Sequence, residues 1–275
     1  MSMAENPETN LEKAIQKINQ AAQKGAQIIC LPELFNTLYF PQVPKNKKFF
    51  QYAEKIPGKT TKSLGKIAKE NKIVLIAGSI FEKAGNKYYN TTVVFNEKGK
   101  LLGKYRKTHI PHDPNFFEQH YFEPGNTGYR VFKTKYGNIG TLICYDQWFP
   151  EAARINALMG ADIVFYPTAI GTNKHLHQTE GNWQQAWENV QRGHAIANGI
   201  IVCAVNRVGI ENNSKFWGGS FVCNGFGKTI KRAGKKEEVL IAQVDLGHGK
   251  YVKEGWRFFY NRKPETYKKL IETKK

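Results

Sequence analysis

Gly140-Thr141-Leu142-Ile143-Cys144-Tyr145-Asp146-Gln147-Trp148-Phe149-Pro150-Glu151 is the stretch that decides how the chain is read. It opens as a strand, Ile139 to Ile143, in small and branched apolar residues suited to a buried sheet. Polar and aromatic residues then interrupt it. Pro150 and Glu151 open an amphipathic helix running to Met159, with proline in the first turn and an acid beside it. A strand that breaks at a thiol just before a helix sets the sulfur on a tight turn at the sheet edge, where backbone N–H groups can face an anion. Cys144 is therefore a candidate nucleophile. The plainer alternative is one more small buried hydrophobe.

A pattern of helix, short apolar strand and proline occurs twice. Asn10 to Lys24 is an amphipathic helix, with Leu11, Ala14, Ile15, Ile18, Ala21 and Ala22 on one stripe, ended by Gly25. Ala26 to Pro32 is a short buried strand, and Glu33 stands directly after it, at the carboxyl end where open α/β sheets place their chemistry. Ala161 to Pro167 repeats this shape and suggests internal pseudo-symmetry. Phe40 to Gly58 reads as an irregular surface excursion and Thr60 to Asn71 as a helix. Ile73 to Phe81 and Tyr89 to Phe95 read as strands, the second joined to Leu101–Tyr105 by a hairpin at Asn96-Glu97-Lys98-Gly99. A long loop, His112 to Gly128, follows Tyr105-Arg106-Lys107-Thr108-His109-Ile110-Pro111, and loops of that length are usually functional. Trp183 to Asn198 is a further helix. Ile200 to Asn206, Gly218 to Asn224 and Val239 to Asp245 complete the strands. A paired meander among helices predicts an α/β fold with mixed sheets. We expect one domain, residues 1–248, with a basic aromatic C-terminal arm at 249–275.

The chain has 275 residues and a formal charge of +18. Its lysines are spread out, as in Lys45-Asn46-Lys47-Lys48 and Lys231 to Lys236, and none sits in a nucleic-acid-binding motif, so they read as solvated faces and not as a nucleic-acid site. No apolar run is long enough to cross a bilayer, and the N-terminal residues do not resemble a signal peptide, so no membrane association is expected. Cys30, Cys144, Cys203 and Cys223 are scattered, with no C-x-x-C pair. Neither a disulfide framework nor a zinc site is expected, no cofactor is required, and a reducing cytoplasm fits.

Three short motifs stand in order, each after a strand: Leu31-Pro32-Glu33-Leu34-Phe35, Tyr105 to Pro111 with Lys107, and Ile143 to Glu151 with Cys144. Together they resemble the nitrilase (carbon–nitrogen hydrolase) superfamily, over Asn10 to about Tyr267. Within it the likeness is greatest to hydrolases of N-carbamoyl amines, through Tyr121 to Gly128, Asp146 to Arg154, Phe165 to Gly171 and Asn261 to Tyr267. The other expectation is an N-carbamoyl amino acid or β-ureidopropionate hydrolase. The resemblance implies a four-layer αββα sandwich, a homodimer or higher homo-oligomer, a small-molecule substrate and a Glu33–Lys107–Cys144 triad. Cys144 would attack, Glu33 would shuttle the proton, and Lys107 would hold the oxyanion together with the backbone N–H of Tyr145. Glu118 would support Lys107 or the substrate. His109, Asp146, Trp148, Tyr166 and Glu180 are candidate substrate-binding residues, with Glu123 a further acid for a cationic substrate end.

Two departures from the family pattern stand out. Relatives begin with a short apolar strand before the first helix, whereas Met1 to Glu8 leads almost straight into it. The first strand is thus expected to be missing or truncated, and to be encoded upstream. Relatives selective for a diamine end also carry acids soon after Thr168-Ala169-Ile170-Gly171. Here Thr172-Asn173-Lys174-His175-Leu176-His177 follows, and Glu180 is the first acid.

Overall fold

The computed structural model describes residues 1–173 and 180–272. Helix α1 (Pro7–Gln23) starts where the Asn6 side chain accepts from the N–H of Glu8, and buries Ala14, Ile18 and Ala21. It leads into β1 (Ile28–Cys30). Helix α2 (Lys59–Glu70) is followed by β2 (Val74–Ile76), β3 (Ile80–Ala84), β4 (Lys87–Phe95) and β5 (Leu101–Arg106). In this first sheet β1 and β2 are parallel, while β4 pairs antiparallel with β2, β3 and β5. Then come β6 (Val131–Thr134), β7 (Gly137–Thr141), α3 (Pro150–Leu158), β8 (Ile163–Thr168), β9 (Gly171–Asn173), α4 (Trp183–Asn198) and β10 (Ile201–Asn206). After them come β11 (Val208–Glu211), β12 (Ser214–Trp217), β13 (Phe221–Cys223), β14 (Thr229–Arg232) and α5 (Leu246–Trp256). The second sheet has the order β14-β13-β10-β8-β7-β6, and β11-β12-β9 form a small third sheet.

Strand alternation sorts these side chains into layers. Leu75 of β2 faces Ile18, Leu64 and Ala68 of the first helix pair, while Val74 and Ile76 face the other sheet. Ile163 and Phe165 of β8 meet them there, and Val164 and Tyr166 turn instead toward Ala157, Trp187 and Ala195 of the second helix pair. The architecture is the expected αββα sandwich.

Several segments differ from their sequence reading, among them Ile73–Phe81, read as one strand but divided between β2 and β3. Phe40, Pro41 and Gln42 are buried, because Phe40 packs with Phe81, Tyr121 and Phe122 in an aromatic cluster beneath the long loop. The start of that excursion is therefore core, not surface. The chain beyond Leu246 enters as helix α5, which spans the boundary expected at 248. Val239–Asp245, expected as a strand, belongs to no ladder.

The physical reason is a gap beside it. Residues 1–6 form no strand, and β1 is the edge of its sheet. Between the free side of β1 and Val239–Val244 lies a cavity of about 630 Å³. Ile18 and Ala21 of α1 wall it on one side, and Ile163, Phe165 and Cys203 of the second sheet wall it on the other. A space this large between two sheets forfeits packing that a close-packed interior would have. An engineered N-terminal extension of six alternating small and branched apolar residues should therefore raise Tm by about 5 °C or more, since filling the slot stabilises by several kcal/mol. It should also slow amide exchange at Ile28–Cys30 and Leu240–Val244. An unchanged Tm and unchanged exchange would show that the slot does not accept a strand.

Candidate active site

The turn at Cys144 is strained by design of its sequence. Ile143 is still extended, and Cys144 then adopts a positive φ of 43°, which costs a non-glycine residue on the order of 1 kcal/mol. The Asp146 carboxylate closes the turn by accepting from the Ile143 N–H at 2.9 Å. The sulfur is thereby held at the end of β7, in contact with the backbone N–H of Ala169. Burial raises the thiol pKa well above its ordinary value. Glu33 adds to that effect, and Lys107 and the Ala169 N–H oppose it. At rest Cys144 is a thiol.

Glu33 and Lys107 arrive from the first sheet. Leu31 extends the β1 ladder through its N–H to Ile76 O, and Gly78 passes so close to Pro32 that any Cβ there would sit 2.1 Å from the Pro32 carbonyl oxygen. Lys107 continues β5, its N–H bonded to Asn90 O at 2.9 Å. Alternation sends its neighbour Arg106 the other way, onto Glu82. Lys107 is wholly buried and donates to Glu33 Oε1 at 2.9 Å and to both Glu118 oxygens at 2.8 and 2.7 Å. Asn90 Nδ2 donates to the same Glu33 oxygen at 2.8 Å, and the Tyr39 hydroxyl donates to Glu118 Oε1 at 2.6 Å. Glu33 Oε2, buried, has no hydrogen-bond partner.

The four expected catalytic side chains thus lie in one buried cluster. Burial alone would lower the Lys107 pKa, but Glu118 and Glu33 outweigh it and raise the pKa, so the ammonium persists. Burial, opposed by Lys107 and reinforced by Glu33, pushes Glu118 up to about 7. A base with an unoccupied oxygen, a fixed cation and a thiol on a strained turn can together deprotonate, attack and stabilise an oxyanion.

The remaining candidates separate. Asp146 is buried and points inward. It accepts from Tyr105 Oη at 2.8 Å and from the His109 N–H at 3.0 Å, and it also bonds His109 Nδ1 at 2.7 Å. With the Ile143 bond its oxygens are fully engaged, so it braces the turn and offers a substrate nothing. His109 is held by that carboxylate and stacks on Phe149 at 3.6 Å. Tyr166 and Trp148 pack in the core between the second sheet and its helices. Glu180 is exposed and accepts from Trp183 Nε1. Residues 174–177 of the departing segment lie outside the described residues. Glu123 is exposed, its N–H on Tyr88 O.

Sequence reasoning missed Tyr39, Asn90 and Asp113. The first two carry no local signal, being an aromatic and a strand amide like others. Asp113 lies on the long loop, exposed, where burial and then its carboxylate hold the Tyr145 phenol above its ordinary range. It therefore stands near the residue next to Cys144. Among the described residues no cluster of three or more His, Cys, Asp or Glu is placed to hold a metal, and no helix is long and apolar enough to cross a membrane.

The Glu118 shift has a sign that can be tested. Its folded pKa, about 7, lies above the ordinary 4.5, so the folded state binds the proton more tightly. That contribution to stability is fully present below about pH 4.5 and is lost as pH rises through 7. Glu118→Gln removes the titration. Its Tm should therefore fall less than that of the parent between pH 5 and pH 8, and parallel Tm profiles would contradict the assignment.

Comparison with known proteins agrees with this geometry. Residues 1–253 match the model of the carbon-nitrogen hydrolase family. The chain is 44% identical over 274 residues to the N-carbamoylputrescine amidase of Solanum lycopersicum, covering 96% of this chain and 90% of that one. It is 38% identical over 276 residues to the citrullinase of Francisella tularensis subsp. tularensis, covering 98% and 96%. The crystal structure of a carbon-nitrogen hydrolase from Helicobacter pylori G27 superposes with a TM-score of 0.93 at 39% identity, over 99% of this chain and 97% of that one. The chain belongs to the carbon-nitrogen hydrolase (nitrilase) family and is an enzyme that cleaves amide-type carbon–nitrogen bonds with water.

Proposed function

We propose that the enzyme hydrolyses N-carbamoylputrescine to putrescine, ammonia and carbon dioxide, with Cys144 as nucleophile, Glu33 as proton shuttle and Lys107 as oxyanion donor. The observation that carries the chemistry is the free Oε2 of Glu33, a buried carboxylate oxygen left unpaired while its twin is fixed by Lys107 and Asn90. The thiol proton passes to that oxygen as sulfur bonds the ureido carbon. Negative charge then collects on the carbonyl oxygen, which accepts from the Tyr145 N–H and from the Lys107 ammonium as one of its N–H groups swings from Glu118 to the oxyanion. The departing nitrogen takes the proton back from Glu33, leaving a thiocarbamate on Cys144. Water, deprotonated by Glu33, displaces the sulfur, and the carbamate so released loses carbon dioxide. Glu118 keeps Lys107 charged and in place.

The substrate assignment is supported by the 44% identity to the tomato enzyme and by the charges around the site. A putrescine end is an ammonium, and the protein's +18 would repel it from a distance. A nearby acid must outweigh that field. Glu118 and Asp146 are engaged internally, Glu180 is bonded to Trp183, and of the two exposed acids left, Glu123 and Asp113, we choose Asp113 because its carboxylate acts on Tyr145, the residue after Cys144. Exposed Ile155, Leu158, Met159 and Trp256 support a homo-oligomer in the same reading.

Ammonia release across N-carbamoylputrescine, citrulline, N-carbamoyl-β-alanine and N-carbamoylbutylamine tests the substrate, with N-carbamoylputrescine expected to have the highest kcat/KM. A higher value for citrulline or N-carbamoyl-β-alanine would reject the diamine reading. Asp113→Asn should raise KM for N-carbamoylputrescine about tenfold and leave that for N-carbamoylbutylamine within twofold, the loss of one close charge pair being worth about 1.4 kcal/mol. Cys144→Ala should abolish turnover in a folded protein, and Glu33→Gln should cost on the order of 10² to 10⁴ in kcat. Residual turnover near parental rates in either variant would refute the catalytic assignment.

A further inference from the structure

Asn206 and Arg207 sit at the join of β10 and β11. Arg207 is wholly buried. Its Nη2 donates to the carbonyl oxygens of Glu33 at 2.7 Å and Leu34 at 2.8 Å, and its Nη1 bonds both oxygens of Glu211 at 2.7 and 3.0 Å. Glu211 in turn accepts from the Tyr39 N–H at 2.6 Å. The turn from Glu33 to Tyr39 is thus gripped at both ends. It needs that grip, because Leu34 has a positive φ of 44°, a conformation a branched residue keeps only when its surroundings impose it. One end of the turn carries the Glu33 carboxylate, and the other carries the Tyr39 hydroxyl that bonds Glu118.

Asn206 does the same for the opposite wall. Its Oδ1 accepts from the Ile170 N–H at 3.0 Å, and its Nδ2 donates to Ile170 O at 2.9 Å and Gly218 O at 3.0 Å. That pins the segment whose preceding residue, Ala169, presents its N–H to the Cys144 sulfur. A side chain amide that closes both backbone groups of one residue acts like a ladder rung, so the segment has little freedom to drift.

We propose that Asn206, Arg207 and Glu211 form a positioning device that sets the base against the thiol from behind, one dipeptide fastening both the Glu33 turn and the Ala169 segment. This rests on the catalytic assignment made above. The roles are those of positioning residues, since none of the three touches a reacting group. A buried ion pair kept only for stability would not need to place its free donors on the two carbonyls beside the base. Arginine is suited to the task because one planar fork serves the carboxylate and both carbonyls at once, which a lysine ammonium cannot do.

The test uses Arg207→Lys and Glu211→Gln in the full chain, the second being nearly isosteric in case the first fails to fold. Both should lower kcat 10- to 100-fold with KM within twofold, and the double variant should be no slower than the slower single one. Iodoacetamide alkylation of Cys144, which also requires loss of the thiol proton, should slow by a similar factor, with Cys30, Cys203 and Cys223 as unreactive as in the parent. A kcat within threefold of the parent in both variants would overturn the proposal. So would faster alkylation of Cys144 together with labelling of Cys203 and Cys223, the signature of a merely loosened fold. Because Cys144→Ala tests the nucleophile independently, an inactive Cys144→Ala beside a fully active Arg207→Lys would reject the positioning device alone.

Discussion

An ammonium with no water around it persists only where carboxylates surround it closely, and the buried Lys107 imposes that requirement on everything nearby. Two carboxylates meet it, Glu33 and Glu118, and both are buried as completely as the lysine. The three come from β5, from the turn after β1 and from the long loop, so the first sheet, the turn and the loop must all be in place before the charges balance. Ion groups out of water are costly when one partner is displaced by even a small distance. The hydrogen bonds from Asn90 and Tyr39 and the aromatic cluster under the loop are the means by which this fold prevents such displacement.

The two halves of the sandwich each carry part of the candidate site. The first sheet presents Glu33 and Lys107, the second presents the Cys144 sulfur and its neighbouring N–H, and they meet at their strand ends. Joining the halves takes two kinds of link. Apolar side chains such as Ile76, Val94, Ile139 and Phe165 fill the space between the sheets and set their separation. Polar struts then fix the register: Asp146 bonds the β5 end to the thiol turn through Tyr105 and His109, and Arg207 bonds the second sheet to the turn after β1. Packing is tolerant of small slips along a strand, whereas a bidentate or bifurcated hydrogen-bond set is not.

What could be read from the sequence was whatever is encoded locally. The bounds of α4 follow from Asn182, whose side chain caps its start, and Gly199, whose left-handed conformation ends it. The break at Cys144 and the hairpin at Asn96–Gly99 are similarly legible from turn chemistry, whereas the αββα class and the trio Glu33, Lys107 and Cys144 were implied only by the family resemblance. Partnerships across the fold were not. Asp146 lies two positions after Cys144 and was expected to face the substrate, but Tyr105 and His109, some forty positions earlier, claim its oxygens. Val239–Asp245 has the composition of a strand, yet a strand exists only beside a partner, and its neighbour is a cavity. Tyr166 alternates onto the helix-facing side of β8, an outcome decided by register and not by residue type.

The buried, protonated state of Cys144 has a consequence for the lifetime of the enzyme. Peroxide and other mild oxidants consume thiolates far faster than thiols, and each step toward sulfenic and sulfinic acid begins from the anion. Many cysteine enzymes hold a standing thiolate and are correspondingly vulnerable. In this protein burial and the adjoining Glu33 keep the sulfur protonated between turnovers, and Cys30, Cys203 and Cys223 are likewise held as thiols. In the mechanism proposed above the anion would form only as its electrons move onto the substrate carbon, which leaves Cys144 shielded from oxidation at rest.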